Sequence, residues 1–442
     1  MLLINFQRIA PVVPLVLALL FATVGLAPIP SQTPKSTMPV FPGAQGFGSK
    51  TPAGRGGQII KVTNLKDRGA GSLRAAIETS GPRIIVFEVG GTISLSRELV
   101  LDNPYATIAG QTAPSPGILL KGAGIRIRTH DILIQHLRIR VGDGLEGSPP
   151  GNRDALEILG PNTYNVVVDH ISASWAIDEN ASTWYPVHDI TISNSIFSEG
   201  LNASLHPKGP HSKGILIGDH ARNISLIGNL MAHNAKRNPR VSGDVSLLVA
   251  NNVMYNCGGT HFMSIGSSSG PSAVTIIGNV FILGPNTSHR TRAVKVEAES
   301  PEGTAVYFTD NRTASSAPDY STPYDPRVPS PPIWISSLSI RESSAVEAWV
   351  LSGAGARRAD HDSVDERIVN EVVRRTGRII DSQSQVGGWP GNSKTMRPFP
   401  VPAHPNRDDD GDGYTNIEEI LHLMAAEVER GSANKIIKPR VL

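Results

Sequence analysis

Acidic and basic side chains cluster in four successive turns in the middle of the chain. The acids come first and most of the bases follow, in the order Asp154, Asp178, Glu179, His206, Lys208, His211, Lys213, Lys236, Arg237 and Arg240. Carboxylates that converge on one point can hold a hard divalent cation, while lysine and arginine bind anionic ligands. Any one of these residues alone is most simply a solvated charge on a turn. If the four turns stack, they predict a groove in which acids face bases.

A second candidate cation site lies near the C-terminus. Its residues follow the EF-hand spacing, with oxygen-bearing side chains at the first, third, fifth, ninth and twelfth positions: Asp408, Asp410, Asp412, Asn416 and Glu419. Gly413 stands at the sixth position, where the loop turns sharply. The alternative is a solvated acidic turn. Only the helix after the loop is evident in the sequence, so we expect a structural half-hand that binds Ca²⁺ and not a calcium sensor.

A repeated strand pattern must position the four charged turns. Runs of Ile, Val and Leu end at an Asn or a His again and again, at His136, His170, Asn194, Asn229, Asn252 and Asn279. These anchors are 23 to 35 residues apart, a variation that a solenoid tolerates because each coil needs a constant strand but accepts insertions on its open face. The pattern predicts an all-β fold, a right-handed parallel β-helix with an N-terminal capping helix after Ser72 and a small helical C-terminal tail.

Composition agrees with strands and turns more than with helices. The 442 residues include 43 Gly and 34 Pro, and only 18% are charged. The net charge of +2 gives no reason to expect a nucleic-acid partner. Cys257 is the only cysteine, which excludes an intramolecular disulfide. We expect a monomer.

The chain divides into five segments. An apolar run makes residues 1–27 a secretory signal or an uncleaved membrane anchor of similar length. With the absence of disulfides, this predicts a secreted or periplasmic bacterial protein. Residues 28–40 are a linker, 41–312 the parallel β-helix, 313–400 a loop and helical extension, and 401–442 an EF-hand- or dockerin-like calcium loop and helix. The predicted helix at residues 363–376 should pack on the far end of the solenoid.

Several short motifs resemble the pectate lyases of polysaccharide lyase family one. The strand Val-Val-Val-Asp ending at His170 resembles the family's Asp-His strand, Asp154-Ala-Leu its calcium position, and Arg237-Asn-Pro-Arg240-Val its Arg-x-Pro-Arg-Val motif. The opening Phe41-Pro-Gly-Ala-Gln-Gly-Phe-Gly and the later Val386-Gly-Gly-Trp-Pro are also similar to members of the family. The resemblance covers most of residues 41–285.

This resemblance implies a calcium-dependent β-elimination on polygalacturonate, an acidic plant-type polysaccharide. Arg237 falls on the catalytic arginine, which acts as the base, while Asp154 and Asp178 fall on calcium positions. Arg240 is the second arginine of the motif, and Lys213 or Lys208 falls on a substrate-binding lysine.

Two positions depart from the family pattern. Ser174 stands where many members have a further calcium-binding Asp, and Glu179 is the candidate replacement. Ser242 stands where well-known members have another arginine.

Two alternatives stay open from the sequence. The chain could be a lyase or hydrolase for another uronate polymer, such as alginate or a rhamnogalacturonan. It could also be a non-catalytic β-helix that binds carbohydrate. A β-helix hydrolase of the polygalacturonase type is disfavoured, because its Gly-His-Gly and Arg-Ile-Lys patterns do not occur. We expect His188, His233 and His261 to be turn or coil-stacking residues.

Overall fold

The computed structural model describes residues 38–313 and 319–430. The predicted signal or anchor and most of the predicted linker lie outside the described residues. Within the described ranges, no helix is both long enough and apolar enough to cross a lipid bilayer.

The chain winds into a right-handed parallel β-helix, in which each coil adds one strand to each of three parallel sheets. Sheet 1 contains β1 (Gln58–Val62), β2 (Arg83–Phe87), β5 (Ala106–Ala109), β8 (Ile132–Gln135), β11 (Tyr164–Asp169), β14 (His188–Ser193), β17 (Arg222–Ile227), β20 (Ser246–Ala250), β23 (Ala273–Ile277) and β26 (Ala305–Thr309). Sheet 2 contains β4 (Leu99–Leu101), β7 (Ile125–Ile127), β10 (Leu156–Leu159), β13 (Glu179–Trp184), β16 (Lys213–Ile217), β19 (Arg240–Val241), β22 (His261–Ile265), β25 (Arg292–Val296) and β28 (Asp319–Tyr320). Sheet 3 contains β3 (Val89–Ser94), β6 (Ile118–Lys121), β9 (Leu137–Arg140), β12 (Ser172–Ser174), β15 (Ile196–Ser198), β18 (Leu230–Ala232), β21 (Val253–Tyr255), β24 (Val280–Ile282) and β27 (Arg312–Thr313), with β29 (Thr395–Met396) pairing antiparallel to β3.

Aliphatic side chains fill the bore of the solenoid. Val166 and Val168 of β11 point into this core, as do Ile190 and Ile192 of β14 in the next coil, and all four are essentially inaccessible to solvent. The intervening Val167 packs outward against the N-terminal segment. Because successive strand residues face opposite sides, the in-register pairs Val166↔Ile190 and Val168↔Ile192 build continuous apolar columns.

The corner between sheet 1 and sheet 3 explains the repeated Asn and His anchors and corrects their alignment. His136, His170 and Asn194 have left-handed φ angles of 57°, 49° and 48°. In the following coils the structurally equivalent left-handed residue is one position before the predicted anchor, at Gly228, Asn251 and Gly278. The predicted anchors therefore belong to two neighbouring positions of the coil: three lie at the left-handed corner and three lie one residue after it. Asn229, Asn252 and Asn279 instead form an amide ladder, with Nδ2 of Asn252 donating to Oδ1 of Asn279 over 3.0 Å.

The predicted N-terminal capping helix is α1 (Leu73–Glu78). Oγ of Ser72 accepts a hydrogen bond from the amide of Ala75, as expected for an N-cap. Leu73 and Ile77 enter the apolar core at its open end. The helix thus shields the first coil from water.

The C-terminal extension contains two helices that lie along the flank of the solenoid. Helix α2 (Ser343–Gly353) has no counterpart among the sequence predictions, whereas α3 (Ser363–Arg374) coincides with the predicted helix. Both pack on the outer face of sheet 3 and not on the far end as we expected, because Val346, Val350 and Ile368 share a cluster with Ile196 and Leu230. The sheet 3 strands that face these helices, such as β15 and β18, therefore carry apolar residues on both faces.

Helix α4 (Asn416–Glu429) follows the acidic loop and lies on the outer face of sheet 1. Ile417 and Leu421 pack against Ile84 and Val86, and Nε of Arg55 binds Oε1 of Glu418 over 2.9 Å. Thr415 and Glu418 form a capping box at the start of the helix. The C-terminal loop and helix are thus docked on the β-helix.

Candidate active site

The N-terminal ends of the sheet 2 strands bring the charged turns together. Glu179 opens β13 and pairs in register with Lys213, which opens β16. Lys213 in turn bridges to Lys236 in the following coil. Asp154 lies on the other side, where its Oδ1 accepts a hydrogen bond from the amide of Glu179 over 2.9 Å. Residues from four consecutive coils therefore form one row that is acidic at one end and basic at the other.

Three carboxylates form the acidic end. Oxygens of Asp154, Asp178 and Glu179 lie within 4.8 Å of one another. Asp154 is held by Glu179 and by Oγ of Ser182, which donates to its Oδ2 over 2.7 Å. Burial, together with the nearby charge of Asp178, raises the pKa of Asp154 well above its usual range.

This acidic cluster fits a hard divalent cation. Several carboxylate oxygens around one point are the donor set that Ca²⁺ prefers, and a bound cation would offset the burial and the charge of Asp178 that raise the pKa of Asp154. Asp154, Asp178 and Glu179 are therefore the residues that could hold the predicted calcium.

Arg237 lies at the boundary between the acidic and basic ends. Its Nη1 donates to Oε1 of Glu179. Its φ angle of 64° is left-handed, an unusual conformation for a large side chain. Burial lowers the pKa of Arg237, and the neighbouring positive charge of Arg240 lowers it further.

A basic cleft of about 680 Å³ extends from Arg237. Lys213, Lys236 and Arg240 line it together with His261. Burial lowers the pKa of Lys213, with a further contribution from Lys236. Arg240 holds its place through a hydrogen bond of 3.1 Å from Nη2 to the carbonyl of Gly266.

A second cleft of about 430 Å³ lies on the acidic side, and Arg237 lines both. Lys208 lines this second cleft beside His211 and Asp178. From the sequence, Lys208 and Lys213 are alternative candidates for one substrate-binding lysine. In the structure they lie on opposite sides of Arg237. The two clefts meet at Arg237 and form one groove, with Lys208 beside the carboxylates in one cleft and Lys213 and Arg240 in the other.

The histidine pair next to Asp178 was not assigned a role from the sequence. His206 and His211 stack with their ring centroids 3.4 Å apart, and Nε2 of His211 lies 2.9 Å from Oδ1 of Asp178. Both come from the insertion that precedes β16. Their positions on either side of Lys208 in the sequence are the feature that could have indicated a role in the site. His261 lines the basic cleft, whereas His188 stacks on Tyr164 as expected for a coil-stacking residue.

The two departures from the family pattern take part in other contacts. Ser174 is buried in sheet 3, where Nη1 of Arg140 donates to its hydroxyl over 3.0 Å and Oγ of Ser198 lies at the same distance. It lies in a structural network, and the third carboxylate of the acidic cluster comes from Glu179. Ser242 follows β19, where its backbone amide donates a hydrogen bond to the carbonyl of Ile217 over 2.8 Å.

The C-terminal loop also brings its predicted residues together. Oxygens of Asp408, Asp410 and Asp412 lie within 4.8 Å of one another. Burial and the charges of Asp410 and Asp412 raise the pKa of Glu419, whose buried Oε1 makes no hydrogen bond with any described residue. Asn416 differs from the expectation, because its Nδ2 donates to Oδ2 of Asp409 over 2.8 Å and its side chain therefore bonds within the loop.

The chain is similar to known pectate lyases over most of its length. It is 34% identical over 401 residues, 87% of each chain, to a protein of Aspergillus flavus named probable pectate lyase C. Its identity to the protein of the same name from Neosartorya fischeri is 36% over 402 residues, 86% of each chain. No protein-family model matches the chain. These relatives are fungal and give no support to the expected bacterial origin.

Solved structures share the fold at lower identity. The cedar pollen allergen jun a 1 superposes with a TM-score of 0.54 and 22% identity, over 71% of this chain and 92% of its own. A pectate lyase bound to a hexasaccharide superposes with a TM-score of 0.51 and 15% identity, over 73% and 99%. Since the fungal relatives cover most of both chains at more than 30% identity, this chain belongs to the pectate lyases and is a polysaccharide lyase built on a right-handed parallel β-helix.

Proposed function

We propose that this protein is a secreted enzyme that cleaves (1→4)-α-D-galacturonan by calcium-assisted β-elimination, with Arg237 as the base. The observation that carries the proposal is the position of Arg237. It lies between three carboxylates and a basic cleft, and it lines both halves of one groove. A polyuronate bound along this groove would present its sugar rings to the guanidinium.

The basic side chains bind and orient the substrate. Lys208 on one side of Arg237, and Lys213 and Arg240 on the other, are spread along the groove. Each pairs with a uronate carboxylate, and the fixed fork of Arg240 suits the two oxygens of such a group. Polymer chains with regularly spaced carboxylates match this distribution of positive charge.

Asp154, Asp178 and Glu179 hold the calcium ion. When bound, calcium draws charge from the substrate carboxylate and makes the proton on C5 more acidic. Within the protein, the backbone amide of Glu179 and the hydroxyl of Ser182 keep Asp154 in place.

Arg237 takes the C5 proton. The electron pair of the C5–H bond forms the C4–C5 double bond, and the glycosidic oxygen on C4 leaves with its electrons and takes a proton from solvent water. One product carries a new unsaturated end and the other a new reducing end. A guanidinium is normally a very weak base, so the lowered pKa of Arg237, which comes from burial and Arg240, favours this role.

Another uronate polymer is the alternative substrate, because cationic side chains recognise carboxylates in alginate as well as in galacturonan. Membership of an enzyme family disfavours the alternative of a non-catalytic β-helix that binds carbohydrate. We also propose that residues 408–419 bind a second calcium ion that stabilises the docked helix α4, that residues 1–27 direct export, and that the enzyme acts as a monomer.

The test is a substrate panel. Polygalacturonate, a methyl-esterified pectin, alginate and a rhamnogalacturonan are each incubated with the full chain and calcium. New ends are followed both by the ultraviolet absorbance of the conjugated product and by a reducing-end assay. We expect both signals to rise together on polygalacturonate and to vanish with a chelator. Reducing ends without absorbance would indicate hydrolysis and overturn the proposed elimination.

A further inference from the structure

A second group of metal-ligating side chains lies at the corner between sheet 1 and sheet 3, away from the groove on sheet 2. It consists of His136, His170 and Glu429, whose candidate ligand atoms lie within 4.8 Å of one another. The two histidines occupy equivalent left-handed corners of successive coils, and Glu429 is the last residue of helix α4. The cluster therefore joins the C-terminal helix to the solenoid.

His136 is the residue that the rest of the structure does not explain. Its side chain is 0% exposed, and neither ring nitrogen makes a hydrogen bond with any of the described residues. Nε2 nevertheless lies 3.2 Å from Oε1 of Glu429. A buried imidazole without hydrogen bonds costs free energy, so a cation that accepts the lone pair of one ring nitrogen would remove part of this cost.

His170 is held in the way that metal-binding histidines are held. Its Nδ1 lies 2.7 Å from Oδ2 of Asp169, which leaves the other ring nitrogen free. Asp169 is itself fixed by hydrogen bonds from Ser193 and Asn194 over 2.7 and 2.9 Å. A carboxylate behind a histidine sets its tautomer and orients it towards a metal.

The distances suit a small divalent cation. Ligand atoms about 2.0–2.1 Å from a tetrahedral zinc ion are about 3.3 Å apart, close to the 3.2 Å between His136 and Glu429. Nδ1 of His170 lies 3.7 Å from Oε1 of Glu429, so this imidazole is close to the carboxylate, and its Nε2 is the nitrogen that Asp169 leaves free for a cation. Two cavities of about 270 and 260 Å³ adjoin His170 and Glu429, so water can supply the remaining ligand.

We infer that His136, His170 and Glu429 form a binding site for a divalent cation of the zinc class, which fastens helix α4 to the β-helix. Nitrogen donors from two imidazoles with one carboxylate select zinc, cobalt or nickel over calcium. A plain ion pair between His170 and its carboxylates would account for two of the three residues. It would leave the buried His136 with one contact at 3.2 Å from Nε2 to Glu429 and no hydrogen bond from either nitrogen to a described residue.

The test is a metal titration of the full chain after chelation, in excess calcium so that the carboxylate sites remain filled. Zinc binding is measured by calorimetry, and cobalt binding by the visible absorption of the bound ion. The variant Glu429→Gln removes the carboxylate, and Glu427→Gln on the same helix is the matched control. A double variant, His206→Gln with His211→Gln, removes the histidines beside Asp178 and so distinguishes zinc bound there from zinc bound at His136, His170 and Glu429.

We expect Glu429→Gln to lose one equivalent of zinc or to bind it about tenfold or more weakly, while Glu427→Gln binds like the wild type. Zinc should raise the melting temperature of the control but not of Glu429→Gln, because only a ligand of the folded state stabilises it. If Glu429→Gln does not fold, His170→Gln replaces it. Equal zinc binding by Glu429→Gln and Glu427→Gln, or loss of zinc only in the His206 and His211 variant, would overturn the inference.

Discussion

The guanidinium of Arg237 donates a hydrogen bond from Nη1 to Oε1 of Glu179, so the proposed base contacts one of the carboxylates proposed to hold calcium. A cation bound to Glu179 would draw electron density from this carboxylate and weaken its hold on the guanidinium. Calcium binding and the availability of Arg237 are therefore expected to be linked.

Replacing the proposed base should remove most of the activity. We expect Arg237→Ala to lower kcat roughly 10²- to 10⁴-fold, the range for loss of a general base. The rate of formation of unsaturated product measures the effect. Arg128→Ala is the control, since Arg128 is half-exposed and pairs with Asp102 on the surface. Full activity in Arg237→Ala would show that another residue is the base.

Removing one charge from the acidic cluster should weaken the response to calcium. Asp154→Asn keeps an oxygen that can accept from the amide of Glu179 but lowers the negative charge around the cation. We expect the calcium concentration that gives half the maximal rate to be about tenfold or more higher than for the wild type. Asp102→Asn, a charge change far from the cluster, should leave the calcium dependence unaltered. If Asp154→Asn responds to calcium like the wild type, the cation site lies elsewhere.

Restoring the family's aspartate at position 174 should not improve calcium binding. Ser174 contacts Arg140, which already binds Asp362 and Asp365, so Ser174→Asp would add an unpaired charge to a buried network. We expect a loss of about 3 kcal/mol in the free energy of unfolding, measured with denaturant. Ser174→Ala should be much milder. Tighter calcium binding with unchanged stability in Ser174→Asp would contradict the structure.

The same network should make the protein sensitive to acid. Burial alone would raise the pKa of Asp365, but the charge of Arg140 outweighs it and lowers the value to about 2. Because the folded-state pKa is below the ordinary value of 3.8, the stabilisation is present above pH 4 and is lost as the pH falls towards 2. This lowered pKa contributes about 2 kcal/mol to the free energy of unfolding at neutral pH.

Unfolding measured as a function of pH tests this sensitivity. Asp365→Asn should be less stable near neutral pH and should lose less stability than the wild type on acidification. The exposed Glu366 on the same helix gives the control Glu366→Gln. A pH profile of Asp365→Asn that parallels the wild type would rule out the ion pair as the cause.

Glu419→Gln should reduce stabilisation by calcium but not catalysis. Glu419 is the twelfth residue of the C-terminal loop, and the charges of Asp410 and Asp412 act on it. We expect a smaller rise in melting temperature with calcium and unchanged activity at saturating calcium, because the loop precedes helix α4 on sheet 1. Glu427→Gln, at an exposed position of helix α4 outside the loop, is the charge-matched control. An equal calcium shift in both variants would exclude Glu419 as a ligand.

The β-helix and the types of residue available for chemistry could be predicted from local features of the sequence. Strand periodicity and left-handed corners are local properties, so β-branched runs ending at His136, His170 and Asn194 are sufficient to predict coils. The spacing of Asp408, Asp410 and Asp412 is also local, because one short loop holds all three.

Which distant residues meet depends on how the coils stack and how the helices dock on them. The register between coils placed Glu179, and not residue 174, beside Asp154 and Asp178, and it separated Lys208 from Lys213 across Arg237. Insertions of different length hide this register in the sequence. The docking of α3 and α4 on the flank depends on outward-facing apolar residues that pattern alone cannot pair, and it is this docking that brings Glu429 to His136 and His170.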